Sequence, residues 1–338
     1  MNKKTIFNII FSLIFLWTIY YISWIIWVLS SILTFIFYCF IAFLIYFFWK
    51  KLRKKEYLSF DKFINYFLFR VLIWIYISIF IIAWLAYYSN EKNPAPMPTY
   101  TITNWEKTVI FQAMSHIWSK KFYEKIKQDL IEAKKQWYVY FYEWVKDWTV
   151  ENKEKFNKAI WIKFDKDLYE NFSKLYWVIQ QDNSIYLNLV NNLDYNVDLT
   201  IDEIIQYYEE LWNKIENKES ILQNKEVIDV NWEIIKTLSK LNEKELKILR
   251  YVNKAMLNFL IWNEKIQTTL TNNFTNKNLF TIILDKRNEK IANEIINSKN
   301  NKIYITYWLL HFKWVFELLQ KNDKNWKIIK TNYLYPIQ

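Results

Sequence analysis

Residues Thr108–Val145 read TVIFQAMSHIWSKKFYEKIKQDLIEAKKQWYVYFYEWV, and Tyr304–Leu318 read YITYWLLHFKWVFEL. Each begins as an apolar run of β type, stops at a histidine and continues in a helical pattern. His116 and His311 are the only histidines in the chain. The first stretch runs on through an amphipathic helix, Lys120–Lys135, with Phe122, Ile126, Leu130 and Ala133 on one stripe, into a second strand, Tyr138–Tyr142, that ends on Glu143. Strand, helix and strand with short links form a βαβ unit, which predicts two parallel, adjacent strands. His116, Glu143 and His311 then fall at three strand ends.

Working outward, the chain closes as it began. A helix over Leu284–Ser298 carries Lys286, Arg287 and Asn288 in its early turns. Strand Lys302–Tyr307, helix Phe312–Lys321 and a strand near Lys327–Tyr333 follow. Between the two ends, Thr149–Glu170 is charged and helical, and Lys174–Leu189 reads as a short strand or irregular segment. Leu199–Trp212 is a helix capped by Thr200, with Glu203 completing a capping box. Ile221 to about Asn273 reads as an insertion of further helices. The fold class is α/β: a mainly parallel sheet flanked by helices, with a helical insertion.

Ahead of this domain the composition changes. Thr5–Trp49 is almost uncharged and holds two stretches long enough to cross a bilayer, about 5–27 and 30–48, and a third covers about 64–88. Lys3 and Lys4 precede the first; Lys50, Lys51, Arg53, Lys54, Lys55 and Lys62 lie between the second and third. This bias predicts three spans in a bacterial-type cell membrane, with a cytoplasmic N-terminus and an extracytoplasmic C-terminal domain. The apolar stretch exceeds a signal peptide and lacks a small-residue cleavage site. Asn90–Asn104 holds Pro94, Pro96 and Pro98 and reads as a linker between a membrane region, 1–89, and a domain, 105–338. The net charge of +11 includes the juxtamembrane cluster, which suits lipid headgroups. No basic stripe interleaved with aromatics points to nucleic acid. The single cysteine, Cys39, falls inside a predicted span.

The chain has no glycine and 19 tryptophans in 338 residues, against an ordinary glycine content of about 7%. AT-rich coding accounts for abundant Lys, Asn and Ile and for few GGN codons, but it should deplete TGG as well. Asn104-Trp105, Asp147-Trp148, Asn231-Trp232 and Asn325-Trp326 stand where Asn-Gly and Asp-Gly turns are expected. The pattern implies that UGA encodes glycine in the source and has been read as Trp.

In a parallel α/β sheet, ligands bind beyond the carboxyl ends of the strands. Two imidazoles and a carboxylate there can hold a divalent ion with an open position that lowers the pKa of bound water. Without metal the same groups can act as general base and electrostatic stabiliser. The residues leave both open, and no HExxH motif is present.

Four segments, QAMSHIW (Gln112–Trp118), VYFYEWVKDW (Val139–Trp148), LDKRNEKIANEI (Leu284–Ile295) and YWLLHFKWVFELL (Tyr307–Leu319), read with Trp as glycine, resemble the TraB/PrgY/GumN and Tiki family, related to erythromycin esterase and ChaN-like proteins. The family carries two GxxH motifs, a Glu between them and an Arg-Asn helix start. Trp308–His311 resembles the second GxxH, while Ala113–His116 departs from the first by Ala for Gly. The resemblance spans about 105–335 in order. It implies a metal-dependent hydrolase, peptidase-like, acting on a peptide or membrane-proximal protein, or a protein that shuts off a peptide signal by binding it. It also implies His116, Glu143 and His311 as metal or catalytic groups, and Arg287 as a site organiser or substrate-carboxylate binder. Asp198 and Asp202 are read as helix-start caps, with a place near the pocket as the alternative.

Overall fold

The computed structural model describes residues 3–22, 40–53, 60–144, 149–160, 162–163, 167–214, 227–263 and 277–337. By its internal contacts the chain divides into two units, Met1–Tyr87 with Leu238–Val252, and Tyr88–Thr237 with Asn253–Gln338.

In the first unit, α1 (Lys3–Ile22), α2 (40–52) and α3 (Phe60–Tyr87) are apolar helices. Trp17, Tyr20, Trp74, Phe80 and Trp84 are exposed on them. α1 and α3 are tied by a hydrogen bond from Asn8 Nδ2 to the carbonyl of Asn65, at 2.7 Å. Among the described residues one helix, Asn65–Lys92, is long and apolar enough to cross a membrane. Three spans are therefore more than the structure shows. Residues 30–39 of the expected second span, the tail of the first and the basic residues Lys54 and Lys55 lie outside the described residues.

The second unit is built on a six-stranded sheet in the order β6-β4-β7-β2-β1-β8. Its strands are β1 (Met97–Thr103), β2 (Thr108–Met114), β4 (Val139–Tyr142), β6 (Tyr195–Asn196), β7 (Lys302–Trp308) and β8 (Lys327–Leu334). β2, β7, β4 and β6 are parallel; β1 runs antiparallel to both β2 and β8. A separate two-residue ladder joins β3 (Ile117–Trp118) to β5 (Ile179–Gln180).

Two expectations change here. β2 and β4 are parallel but not adjacent, because β7 lies between them and pairs with both. Only a strand apolar on both faces suits that position, and Ile303–Tyr307 is buried throughout. The proposed linker is the second correction. Its latter half is β1, whose Thr-Tyr-Thr-Ile-Thr run has the β-branched and aromatic content of a strand despite the prolines at its start. Residues Tyr88–Lys92 before it form a π-helical turn.

Successive β7 side chains enter opposite layers. Ile303, Ile305 and Tyr307 pack with Ile291, Ile295, Phe312, Val315 and Leu319. These come from α11 (Lys277–Asn297) and α12 (Phe312–Asn322). Tyr304 packs on the other face with Phe122, Ile126 and Leu130 of α4 (Lys120–Lys135). The helix α8 (Ile201–Lys214) carries the expected capping box: Thr200 N–H donates to Glu203 Oε2 at 2.7 Å, and Glu203 N–H to Thr200 Oγ1 at 3.1 Å. Of the proposed insertion, α9 (Val230–Leu238) and α10 (Glu243–Trp262) are described, and α10 divides between the two units.

Among the described residues, three non-glycine residues have positive φ, and all three are tryptophan: Trp105 (80°), Trp137 (67°) and Trp177 (58°). Trp105 is the expected hairpin turn between β1 and β2. Trp137 follows α4 in a Schellman closure, with Tyr138 N–H on Ala133 O and Trp137 N–H on Lys134 O, each at 3.0 Å. Trp177 ends α6 (Leu168–Tyr176), and Val178 N–H returns to Ser173 O. Two of the expected glycine-like turns are otherwise. Trp232 lies within α9, and Trp326 is buried in the core against the sheet. Trp148 lies outside the described residues.

Candidate functional site

Four side chains follow the carboxyl ends of the four parallel strands: His116 after β2, Glu143 after β4, Asp198 after β6 and His311 after β7. α11 delivers Arg287 and Asn288 to the same edge. Local bonds hold each approach. Tyr123 Oη donates to Ser115 O at 2.9 Å, and Gln181 N–H donates to His116 O at 2.7 Å, so the turn bearing His116 is pinned from both sides. The short helical turn Leu309–His311 places His311 fully buried at the start of α12.

Arg287 is the centre of the arrangement. Its Nε donates to Asp198 Oδ1 at 2.7 Å and to Tyr307 Oη at 2.9 Å, and its Nη2 donates to Glu143 Oε1. Tyr307 Oη in turn donates to Asp198 Oδ1 at 2.8 Å, where Leu199 N–H also arrives at 2.8 Å. Glu143 Oε2 accepts the backbone N–H of Trp308 at 3.1 Å, which ties the end of β4 to the end of β7. One buried guanidinium thus faces two carboxylates. Burial and the Glu143 charge raise the Asp198 pKa against the pull of Arg287, while the flanking anions hold Arg287 firmly protonated.

The histidines do different work. His116 packs against Tyr169 with ring centroids 4.4 Å apart and the planes tilted by 37°. Burial lowers its pKa against the opposing Glu143 charge, and Arg287 lowers it further, so the imidazole is neutral at pH 7. His311 Nδ1 is 2.7 Å from Asn288 Oδ1, and its ring stands edge-on to Tyr307. Burial and the Arg287 charge push its pKa well below 6.5. Six buried side-chain polar atoms lack a hydrogen-bond partner among the described residues, and three belong here: Asp198 Oδ2, Asn288 Nδ2 and His311 Nε2. Such atoms are rare in folded proteins, and a cluster of three at one site calls for an explanation.

A divalent ion would compete here with bonds the side chains already make. Both Glu143 oxygens are engaged, one by a guanidinium whose charge opposes a metal; Asn288 holds His311. No three His, Cys, Asp or Glu side chains among the described residues form a group able to hold an ion. As arranged, His116, Glu143 and His311 do not fit a metal centre.

The sequence marked His116, Glu143, Arg287 and His311, and the structure brings Arg287 and Glu143 into contact. It under-read Asp198, the second anchor of Arg287. Asp202 is elsewhere: it accepts from Thr149 and Asn152 at the start of α5 (Val150–Ile160). Tyr307 was missed, because a tyrosine in a central strand reads as core. Beside the Leu309-Leu310 turn lies an apolar groove of about 610 Å³, lined by Tyr100, Ile261, Leu309, Phe312 and Phe316 among others.

Comparison of the chain with protein-family models, with curated proteins and with solved structures finds no match.

Proposed function

We propose that the second unit is a hydrolase, attached to a membrane and facing outward, that acts on a peptide or a membrane-proximal protein. The observation that carries this reading is the buried Arg287, held by Glu143, Asp198 and Tyr307 at the carboxyl edge of the parallel strands, with neutral His116 on the same edge. In the proposed reaction His116 accepts a proton from water as it attacks a carbonyl. Arg287, with Tyr307 helping to hold it in place, is the fixed cation on the edge where negative charge develops. The apolar groove beside Leu309 suits side chains of an extended peptide. No step is assigned to a metal, since Glu143 is committed to Arg287.

The test is turnover of a peptide library by the full chain in lipid nanodiscs, with and without chelator. Expected is chelator-resistant cleavage that falls by about 10²–10⁴ in His116→Ala, the range of a lost general base. Cleavage that chelation abolishes and one divalent ion restores would overturn the metal-free mechanism. A second reading, a protein that binds a peptide signal without cutting it, draws on the saturation of Glu143 by two donors. It predicts peptide binding that survives with no cleavage in any fraction.

A further inference from the structure

The three left-handed tryptophans are sterically wrong for their backbone and are largely exposed, Trp105 with Lys327 Nζ 3.5 Å from the centre of its ring. Positive φ is a genuine outlier for a bulky side chain and routine for glycine. Trp105, Trp137 and Trp177 are 73%, 86% and 54% exposed. Tryptophan supplies 19 of 338 residues, yet it fills all three left-handed positions found among the described ones. Two of these are the residue after a helix in a Schellman closure, the place glycine occupies most often. Trp118 adds an independent misfit, since it is buried with its indole N–H lacking an acceptor. Glycine carries no such group.

The same substitution bears on the site at position 308. The Trp308 ring stands 5.9 Å from that of His311, centroid to centroid, over an imidazole with no solvent exposure and an unpartnered Nε2. The bond from position 308 to Glu143 is made by the backbone N–H, so it survives loss of the side chain. Removing the indole uncovers one flank of His311 without disturbing the Glu143–Arg287 contact.

We infer that glycine occupies positions 105, 137, 177 and 308 in the protein as its source makes it, and that the opening left at 308 admits a backbone amide of the substrate to His311 and Asn288. With Nδ1–H donated to Asn288 Oδ1, His311 Nε2 is an acceptor and Asn288 Nδ2 a donor. Reversing the tautomer together with the amide exchanges these roles but keeps one donor and one acceptor. One donor and one acceptor on hydrogen-bonded side chains match the C=O and N–H of a peptide unit. The amide assignment rests on the peptide reading above; the glycine assignment does not.

Two measurements test this, and neither uses turnover. Peptide mass spectrometry of the protein from its native source is expected to return glycine masses at all four positions. Tryptophan at 105, 137 and 177 would overturn the assignment, and tryptophan at 308 alone would overturn the opening. The second measurement compares the full chain carrying Trp308 with Trp308→Gly and Trp308→Ala, made in a host that reads UGA as stop. Diethyl pyrocarbonate modification of His311 is expected to accelerate about tenfold or more in both variants, because a buried atom reacts only through the opening it needs. A saturating capped tripeptide is expected to slow it again. An unchanged rate overturns the passage, and acceleration without protection by the tripeptide overturns the amide assignment.

Discussion

At the scale of single residues, the chain stores strain at Trp105, Trp137 and Trp177 and concentrates charge at Arg287. A residue held in the left-handed region costs on the order of 1–3 kcal/mol, and glycine returns part of that gain as unfolded-state entropy. Each of Trp105→Gly, Trp137→Gly and Trp177→Gly is therefore expected to stabilise the fold by roughly 0.5–1 kcal/mol, measured by denaturant unfolding of the second unit's signal. A loss of stability in all three would contradict the strain argument. Arg287→Met removes the cation that the buried Asp198 and the part-buried Glu143 carboxylates share. Expected is a loss of about 3–5 kcal/mol, with little rescue by Arg287→Lys, because one ammonium does not reproduce a guanidinium fork. His116 and Glu143 were legible because polar residues at the ends of apolar strands stand out, whereas Arg287, inside a helix, was marked only by the family resemblance. Asp198 was obscured by its neighbours: Thr200 and Glu203 account so well for a helix start that an aspartate two residues earlier reads as part of the cap.

At the scale of elements, local chemistry was readable and partnership was not. α4 emerges with the limits expected from its apolar stripe, with Ser119 capping it by accepting Phe122 N–H at 3.3 Å. The proline run concealed β1, although its strand content lies in plain sequence. What the sequence does not carry is which strand β7 joins, since pairing between residues far apart depends on both partners. One long-range element contact is equally invisible there. Lys107 Nζ donates to the carbonyls of Ile295, Ile296 and Ser298 at 2.9, 2.6 and 2.7 Å, closing the end of α11. Such a cation at a helix C-terminus satisfies carbonyls that have no partner within the helix. Lys107→Met is expected to cost about 1–2 kcal/mol and to raise amide exchange selectively at the end of α11. Unchanged exchange there would show that water replaces the lysine at no cost.

At the scale of the molecule, two neutral histidines, His311 buried and His116 half-buried, shape the response to acid. Both have folded-state pKa values below the ordinary 6.5. Between the folded and unfolded values the unfolded chain binds more protons, so stability rises with pH through this window. Their contribution is complete above about pH 6.5 and is lost as pH falls below it. Asp198 acts in the opposite sense, since its raised pKa makes the folded state the better proton binder above 3.8. His311→Gln is expected to flatten the acid side of the stability curve between pH 6.5 and 5, followed by unfolding at fixed temperature; an unaltered slope would remove His311 from this role. The place of β7 has a consequence for biogenesis. The strand between β2 and β4 is made from residues 302–308, so the sheet has two unsatisfied inner edges until synthesis has passed that point, long after β2 and β4 have been made. A nascent chain stalled or cut short of this strand would present those edges to its surroundings, and the order of synthesis thereby makes β7 the strand that joins the two halves of the sheet and commits the domain to fold.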